Sequence, residues 1–278
     1  MTAIENQTFD EERALYGSRK LYVKDCRFDG PADGESAFKE SRDLKVQDCY
    51  FNLRYPFWHD AGVEILNCEM TELCRAALWY SEDIHIKNSI LHGTKALREC
   101  KSITLSDCDI LSAEFGWSSE GLTVSDTHAA GEYMFLRAKD LTLKSFAMEG
   151  KYSFQYIKNA LFESCMLNTK DAFWHAKNVT VRNSTVTGEY LGWYGENLTF
   201  ENCKIVGTQP LCYCKNLRLV NCEMLDADLS FEKSEVYATL TNTPVSIKNP
   251  TAGRISIPTA TEIIRTDPAS LAEIVVEK

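Results

Sequence analysis

The chain has 278 residues, a formal net charge of −10 and a hydrophobic content of 44%. This length is enough for one large domain with a sizeable core, or for two ordinary domains. The acidic charge argues against nucleic acid or an anionic membrane as the main partner, and no apolar run approaches the ~20 residues that span a bilayer.

The first residues, "MTAIENQTFDEERALYG", lack the basic segment and apolar stretch of a secretory signal. We therefore expect a cytoplasmic protein. The eleven cysteines are then expected to be reduced thiols rather than disulfides.

Eleven segments share the pattern apolar-x-apolar-x-x-small-x-apolar. They begin at Leu21, Leu44, Val63, Ile84, Ile103, Leu122, Leu141, Ala160, Val179, Leu198 and Leu217. The first three spacings are 23, 19 and 21 residues, and every later spacing, up to Val236, is 19. Apolar residues alternate within each segment, which is typical of strands rather than helices. The pattern predicts an all-β fold, a single-stranded parallel β-helix of about eleven coils of ~19 residues. The hexapeptide rhythm of left-handed β-helices is missing, so we expect the right-handed form.

The fifth position of the pattern is Asp, Asn or Ser in every segment. These side chains bond to their own backbone and tolerate left-handed dihedral angles. We therefore expect the chain to turn a corner at Asp25, Asp48, Asn67, Asn88, Asp107, Asp126, Ser145, Ser164, Asn183, Asn202 and Asn221.

The sixth position is cysteine in seven segments, at Cys26, Cys49, Cys68, Cys108, Cys165, Cys203 and Cys222. This column is either a metal or redox ladder, or a set of small residues that fill a tight interior. We favour the interior, because cysteine is small and readily buried. Cys212 and Cys214 have the wrong spacing for a zinc knuckle. We predict no metal and no cofactor.

The two ends of the chain depart from the pattern. Residues 9–20 resemble the second half of a coil and are predicted to form a partial coil, and residues 29–37 form an insertion loop with Gly and Pro. Beyond residue 240 the pattern dissolves. We thus predict that residues 1–240 form the β-helix. Residues 241–278 are predicted to be the C-terminal cap of the same domain, because the open strand edges of an uncapped β-helix invite stacking with another molecule.

All five tryptophans stand five residues before the first apolar residue of a segment. Lys39, Arg98 and Gln155 take this position in other coils, and the residue before it is mostly Phe or Leu. Neighbouring residues of a strand point to opposite faces. We expect the Phe and Leu side chains to point inwards and the tryptophans outwards, although a shift of one residue would reverse the two columns.

An outward stripe of tryptophans has two interpretations. It is either aromatic packing alone, or a groove in which sugar rings lie on aromatic planes while their hydroxyls bind polar side chains. Because a long exposed aromatic stripe implies a partner, we favour the groove. The expected binding residues are Trp58, Trp79, Tyr80, Arg98, Trp117, Tyr156, Trp174, Trp193 and Tyr194.

Titratable side chains beside the stripe are candidates for catalysis. The alternative is that they simply form a solvent-exposed polar face, which needs no function. Glu99 and Glu114 could lie within the separation that a glycosidase needs. Arg98 and Arg137 could clamp a substrate carboxylate, and His59 or His175 could act as a base near neutral pH. The candidate catalytic residues are therefore His59, Glu99, Glu114, Arg137 and His175.

Blocks along nearly the whole chain are similar to a family of uncharacterised microbial proteins, among them "ERALYG", "GPADGES", "LRYPFWHD", "CRAALWYS", "TKDAFWHA" and "GEYLGWY". The resemblance implies a right-handed β-helix of the pectin-lyase-like type and no known activity. The "DD" and "GHG" motifs of polygalacturonase-like enzymes and the "RxPxxR" motif of pectate lyases are absent. Fold analogy is therefore weak ground for pectin chemistry.

We expect a protein that binds an oligosaccharide or another small molecule on one face. Processing of that carbohydrate by a lyase, hydrolase or epimerase reaction stays open. The alternative is a non-catalytic scaffold whose aromatic stripe contacts another protein or a second copy of the chain.

Overall fold

The computed structural model describes residues 1–277. It is an all-β parallel solenoid of about 14 turns with a spacing of about 19 residues. The predicted class is confirmed, but the number of turns is larger than the predicted eleven. Within residues 1–277, no helix is long and apolar enough to cross a membrane. The chain comprises two compact units, Met1–Leu141 and Thr142–Lys278.

The first unit contains a six-residue strand in almost every turn, followed by one or two short strands. Its strands are β1 (Thr2–Glu5), β2 (Thr8–Phe9), β3 (Arg19–Lys24), β4 (Arg27–Phe28), β5 (Arg42–Gln47), β6 (Tyr50–Phe51), β7 (Phe57–Trp58), β8 (Ala61–Leu66), β9 (Glu69–Met70), β10 (Leu78–Trp79), β11 (Glu82–Lys87), β12 (Ile90–Leu91), β13 (Leu97–Arg98), β14 (Lys101–Ser106), β15 (Asp109–Leu111) and β16 (Glu120–Glu132).

The strands that follow belong to the second unit, apart from the first residues of β17. They are β17 (Lys139–Lys151), β18 (Lys158–Glu163), β19 (Met166–Lys170), β20 (Lys177–Arg182), β21 (Thr185–Thr187), β22 (Glu196–Glu201), β23 (Lys204–Val206), β24 (Leu217–Leu225), β25 (Glu235–Leu240), β26 (Ser246–Lys248), β27 (Ala252–Ile257), β28 (Glu262–Ile264) and β29 (Glu273–Val276).

The first residues of the sequence segments pair with one another from turn to turn. Leu21 pairs with Leu44, and Leu44 pairs with Val63, in parallel register. In the second unit Val179 pairs with Leu198 in the same way. All of these side chains are buried. Identical positions of the pattern therefore form columns within each unit, as the alternating apolar residues predict.

All eleven predicted corner residues have a positive φ, between 48° and 56°. A second left-handed position, which the sequence interpretation missed, comes directly before the first apolar residue of each segment. It is occupied by Lys20, Asp43, Gly62, Asp83, Ser102, Gly121 and Asp140 in the first unit and by Asn159, Asn178, Asn197 and Asn216 in the second. Asn and Gly tolerate this conformation better than other residues.

The four asparagines at this second corner form a hydrogen-bonded ladder. Asn178 Nδ2 donates to Asn159 Oδ1 over 3.0 Å, and Asn197 Nδ2 donates to Asn178 Oδ1 over 2.8 Å. Asn216 Nδ2 then donates to Asn197 Oδ1 over 2.8 Å. The amides of Asn178, Asn197 and Asn216 each donate to the turn before, so the ladder ties neighbouring turns together at the surface.

We expect Asn197→Ala to lower the free energy of unfolding by about 1–2 kcal/mol, because it removes two exposed hydrogen bonds and places a β-carbon in the left-handed region. Asn197→Gly keeps the backbone conformation, as Gly62 and Gly121 do at the same position, and should cost less. Urea unfolding of both variants measures the difference. Equal stability of Asn197→Ala and the parent protein would contradict the ladder.

The N-terminal turn is more complete than predicted. Thr2 pairs with Leu21 in parallel register, 19 residues further on, and Asn6 takes the left-handed corner conformation. Residues 9–20, predicted to be a partial coil, therefore belong to a full turn that begins at Thr2. The sequence pattern missed this turn because a polar Thr stands where the other segments have an apolar residue.

The segment after residue 240, predicted to be a cap, also continues the parallel pairing. Strand β27 pairs with β25, and β29 pairs with β27. Gly253 lies opposite Val236, and a β-carbon there would come within 1.9 Å of the Val236 carbonyl oxygen. The apolar residue of the pattern is therefore replaced by glycine, and the motif disappears from the sequence while the turns continue.

The interior is filled by aromatic rings, aliphatic side chains and cysteines. In the first unit, Phe51 stacks on Phe28 with ring centroids 4.7 Å apart, and it also contacts Phe57 at 5.4 Å. All eleven cysteines are buried and unpaired. The predicted inward position of the cysteine column is confirmed, since its members are at most 5% exposed.

Candidate functional site

The aromatic stripe of the first unit consists of Lys39, Trp58, Trp79, Arg98 and Trp117, called here the first-unit stripe. Strands β7, β10 and β13 align Trp58, Trp79 and Arg98, and a β-bridge joins Arg98 to Trp117. All five side chains are half-exposed, whereas the residues just before the first four are fully buried; those residues are Phe38, Phe57, Leu78 and Leu97. The predicted inward and outward columns are thus confirmed.

Rings and cations alternate along the first-unit stripe. Trp58 and Trp79 stack with centroids 5.6 Å apart and planes 14° from parallel. Lys39 Nζ lies 3.8 Å from the Trp58 ring centroid, and Arg98 Cζ lies 5.8 Å from that of Trp79 and 5.3 Å from that of Trp117. These distances are those of cation–π contacts.

From the sequence alone, sugar rings are expected to lie on the faces of the tryptophan rings, but in Trp58 and Trp79 those faces are covered by stacking. Trp58 lies between Lys39 and Trp79, and Trp79 lies between Trp58 and the Arg98 side. The faces of these two indoles are therefore in contact with other side chains. The expected flat contact between a sugar ring and an indole face is therefore not available at Trp58 or Trp79.

The column that follows the stripe turns a further corner, because His59, Tyr80 and Glu99 all have a positive φ. His59 Nδ1 lies 3.1 Å from Glu40 Oε1, and its ring centroid is 5.3 Å from that of Tyr80. A hydrogen bond with the Glu99 carboxylate raises the pKa of the Tyr80 hydroxyl. The column therefore presents an imidazole, a phenol and a carboxylate in successive turns.

Glu99 and Glu114, two of the predicted catalytic residues, are brought to the same guanidinium. Arg98 Nε lies 3.0 Å from Glu99 Oε1, and Arg98 Nη1 lies 4.0 Å from Glu114 Oε2. Lys95 Nζ adds an ion pair with Glu114 at 3.4 Å. The geometry thus holds both predicted carboxylates in salt bridges with one guanidinium. Arg137 is exposed at the same corner position as Glu99.

In the second unit, the corner column that corresponds to His59, Tyr80 and Glu99 is a continuous stack of rings. It is called here the second-unit ladder and is formed by Tyr156, His175, Tyr194 and Tyr213. The His175 centroid is 4.9 Å from those of Tyr156 and Tyr194, with planes within 11° of parallel. Tyr213 continues the stack at 4.8 Å from Tyr194. His175, the second candidate base, thus has both ring faces covered, and it belongs to a different compact unit from His59.

Beside the second-unit ladder, Trp174 and Trp193 stack at 5.5 Å with planes 6° from parallel. The Trp174 indole N–H donates to the Tyr190 carbonyl over 2.7 Å, and that of Trp193 donates to the Gln209 carbonyl over 2.8 Å. In the first unit, Trp117 donates in the same way to the carbonyl of Tyr133. In all three cases the acceptor lies 16 residues further along the chain.

Trp58 and Trp79 differ from the other three tryptophans. Their Nε1 atoms are buried and have no hydrogen-bond partner among residues 1–277. The ring of Tyr55 lies 6.2 Å from both indoles, tilted by 58° and 45°. The sequence identified these two residues but gave no sign that their donors would be unpaired.

Sequence reasoning missed a polar cluster on another face of the first unit. His92 Nε2 lies 2.7 Å from Asp109 Oδ2, and His128 Nδ1 lies 3.1 Å from Asp109 Oδ1. Hydrogen bonds from these two imidazoles lower the pKa of Asp109. The sequence did contain a signal for this cluster, because Asp109 and His128 are 19 residues apart, which is the length of one turn. In the structure the two residues pair directly. Within the described part of the chain, no group of three or more His, Cys, Asp or Glu side chains could hold a metal ion.

A second missed residue is Asp60, which is 1% exposed. Its Oδ1 accepts the Ser41 main-chain N–H over 2.7 Å, whereas its Oδ2 has no partner among the described residues. Burial raises the pKa of this carboxyl to about 8. The sequence did contain a signal for Asp60, because the same position in neighbouring turns holds only small side chains. Those residues are Ser41, Ser81, Cys100 and Ser119.

Several solved structures resemble this chain. Tailspike protein 3 of bacteriophage CBA120 is 8% identical with a TM-score of 0.42, over 98% of this chain and 55% of the tailspike chain, so this chain spans about half the tailspike's length. The A-module of mannuronan C-5 epimerase AlgE4 from Azotobacter vinelandii is 10% identical with a TM-score of 0.30, over 98% and 87%. The surface adhesin PfbA of Streptococcus pneumoniae is 11% identical with a TM-score of 0.28, over 82% and 60%. With TM-scores below 0.5, these likenesses do not bear on the function.

A match to the sequence was sought among curated proteins, and none was found. A family model described as "Protein of unknown function (DUF3737)" matches residues 2–275. This agrees with the predicted resemblance to an uncharacterised β-helix family, and the chain belongs to DUF3737, a family of unknown function.

Proposed function

We propose that the protein binds a neutral oligosaccharide along the first-unit stripe and does not transform it. The observation that carries this proposal is the stacked, half-exposed pair of indoles Trp58 and Trp79, flanked by Arg98, Tyr80 and Glu99. The edge of an aromatic ring is its electropositive part. Such edges suit the oxygen atoms of a sugar, and neighbouring carboxylates accept hydrogen bonds from its hydroxyls.

The charges around the first-unit stripe support a neutral ligand. Arg98 and Lys95 are already in ion pairs with Glu99 and Glu114. A uronate would have to compete with those carboxylates for the same guanidinium, whereas sugar hydroxyls can bind beside the existing pairs.

Binding without catalysis is supported by the same ion pairs. A glycosidase needs one carboxyl group to donate a proton and a second to act as a base or nucleophile. Here both carboxylates of the predicted pair contact Arg98. His59 is likewise paired with Glu40.

A second candidate function, self-association, is favoured by the second-unit ladder. Tyr156 and Tyr194 are 44% and 46% exposed, and tyrosine is enriched where proteins meet. A concentration-dependent dimer whose second-unit tryptophans become protected, and which is indifferent to sugars, would favour this function over the first.

Isothermal titration calorimetry with cellohexaose, mannohexaose and trigalacturonate tests the proposal. We expect one of the neutral hexasaccharides to bind, and Tyr80→Ala to weaken that binding about tenfold, or about 1.4 kcal/mol. The control is Tyr237→Ala, because Tyr237 is 46% exposed on β25 and Tyr80 is 44% exposed beside the stripe. Equal losses in both variants, or binding of trigalacturonate alone, would contradict the proposal.

A further inference from the structure

We propose that Trp58 and Trp79 form a two-donor subsite, in which their indole N–H groups bind two oxygen atoms of the oligosaccharide and Tyr55 is the side chain that covers them. This inference rests on the proposed function and identifies where the ligand makes its specific hydrogen bonds. It concerns a pair of atoms rather than the stripe as a whole.

The internal comparison among the five tryptophans carries the inference. Three of them donate to a main-chain carbonyl 16 residues further on. Trp58 and Trp79 alone, among the tryptophans, keep a buried Nε1 without a partner. An indole nitrogen is only a donor, and a buried donor without an acceptor is costly to leave unpaired. The missing group is therefore an acceptor, which a sugar hydroxyl or ring oxygen supplies.

The geometry of the pair defines the ligand it can accept. The two rings are 14° from parallel with centroids 5.6 Å apart, and they occupy the same position in neighbouring turns, which are about 4.8 Å apart. The two donors therefore suit acceptor oxygens roughly 5 Å apart. Lys39 and Arg98 lie over the outer faces of the two rings, so both ends of the pair are closed by cations that also favour an oxygen-rich ligand.

Access to the two nitrogens requires a side chain to move, because both atoms are shielded from solvent. Tyr55 is suited to this role, since its half-buried ring contacts both indoles at the same centroid distance of 6.2 Å. Rotation of one tyrosine would expose both donors without disturbing the backbone pairing of β7 with β10. Removal of the Tyr55 ring should therefore strengthen or accelerate the binding of the oligosaccharide.

Indole resonances report on each donor separately. The protein labelled with ¹⁵N-tryptophan has five indole N–H signals, one for each tryptophan, and single Trp→Phe variants assign them. We titrate it with cellohexaose and mannohexaose. The signals of Trp58 and Trp79 are expected to move downfield as they gain acceptors, while those of Trp174 and Trp193, whose donors are already paired, stay in place.

Affinities of the variants complete the test. Trp58→Phe and Trp79→Phe keep a ring but lose the donor, and each is expected to weaken binding about tenfold. Tyr237→Ala removes an exposed ring on β25, away from the stripe, and should bind like the parent protein. Tyr55→Ala should bind more tightly or associate faster. Thermal unfolding confirms that each variant is folded.

The outcomes separate this inference from the proposed function. If a hexasaccharide binds but the Trp58 and Trp79 signals do not move, or the two Phe variants bind normally, the two-donor subsite is wrong while the binding face stands. If neither hexasaccharide moves any indole signal or releases heat, the proposed function fails, and the subsite fails with it.

Discussion

Replacement of Asp60 by Ser is expected to stabilise the protein by about 3–5 kcal/mol at pH 9. Burial raises the pKa of this carboxyl from 3.8 to about 8 in the folded state. Each pKa unit corresponds to about 1.4 kcal/mol. The ionised carboxylate therefore opposes folding. Its removal should raise the free energy of unfolding at every pH at which Asp60 is ionised in the unfolded chain.

The direction with pH follows from proton binding. Between about pH 4 and pH 8, the folded protein keeps the Asp60 proton while the unfolded chain has lost it. The free energy of unfolding of the parent protein should thus fall as the pH rises through this range and become level above about pH 8. The destabilisation is absent below about pH 4. Asp60→Ser should remove this slope and leave stability at pH 4 nearly unchanged.

Serine is the suitable replacement because its neighbours in the column already perform the required contact. Ser41 Oγ accepts the main-chain N–H of Ser18 over 2.9 Å, and Ser81 Oγ accepts that of Asp60 over 3.1 Å. Ser119 Oγ does the same for Cys100. A serine at position 60 can accept the Ser41 N–H that Asp60 Oδ1 now accepts.

Urea unfolding at pH 4, 7 and 9 measures this effect, with Glu69→Ser as the control. Glu69 is an exposed acid on β9, and its loss should change stability by less than about 0.5 kcal/mol at every pH. An Asp60→Ser variant that is less stable than the parent protein at pH 9 would show that the carboxylate is stabilised in the interior.

Truncation of Phe51 to Ala is expected to lower the free energy of unfolding by about 3–5 kcal/mol. Phe51 is fully buried, and its ring contacts Phe28, Phe38 and Phe57 at centroid distances of 4.7, 6.3 and 5.4 Å. The stacked turns on either side cannot close the cavity independently, because main-chain hydrogen bonds hold their spacing.

The neighbouring residue provides a control for this prediction. Tyr50 precedes Phe51 in β6, points outwards and is half-exposed beneath the Arg27 guanidinium, at 4.0 Å from its ring centroid. Tyr50→Ala should cost about 1 kcal/mol or less. Equal losses at the two positions would contradict the alternation of inward and outward residues on which the columns depend.

The regular parts of the fold could be predicted because they are local and repeated. A left-handed corner selects Asp, Asn or Ser at each of eleven positions, from Asp25 to Asn221, and a strand selects apolar residues at alternate positions. The turns at the two ends were missed where a single substitution broke the pattern, namely Thr2 for an apolar residue and Gly253 for another. The right-handed winding and the cytoplasmic location stay predictions.

The candidate site was predictable only as a set of columns. The sequence placed Trp58, Trp79 and Arg98 in one outward column and Glu99 beside it, which the structure confirms. The stacking of the indoles could not be predicted, because it depends on side-chain torsions rather than on position in the repeat. For the same reason the sequence did not separate two unpaired indole donors from three paired ones, or reveal that Arg98 holds both carboxylates.

A crystal structure of the protein soaked with the tighter-binding neutral hexasaccharide tests the central claim most directly. We predict sugar density along the edges of the first-unit stripe, with oxygen atoms within about 3 Å of the Trp58 and Trp79 indole nitrogens and Tyr55 rotated away. Density confined to another face, or an unoccupied stripe at a sugar concentration that saturates binding in solution, would contradict the account.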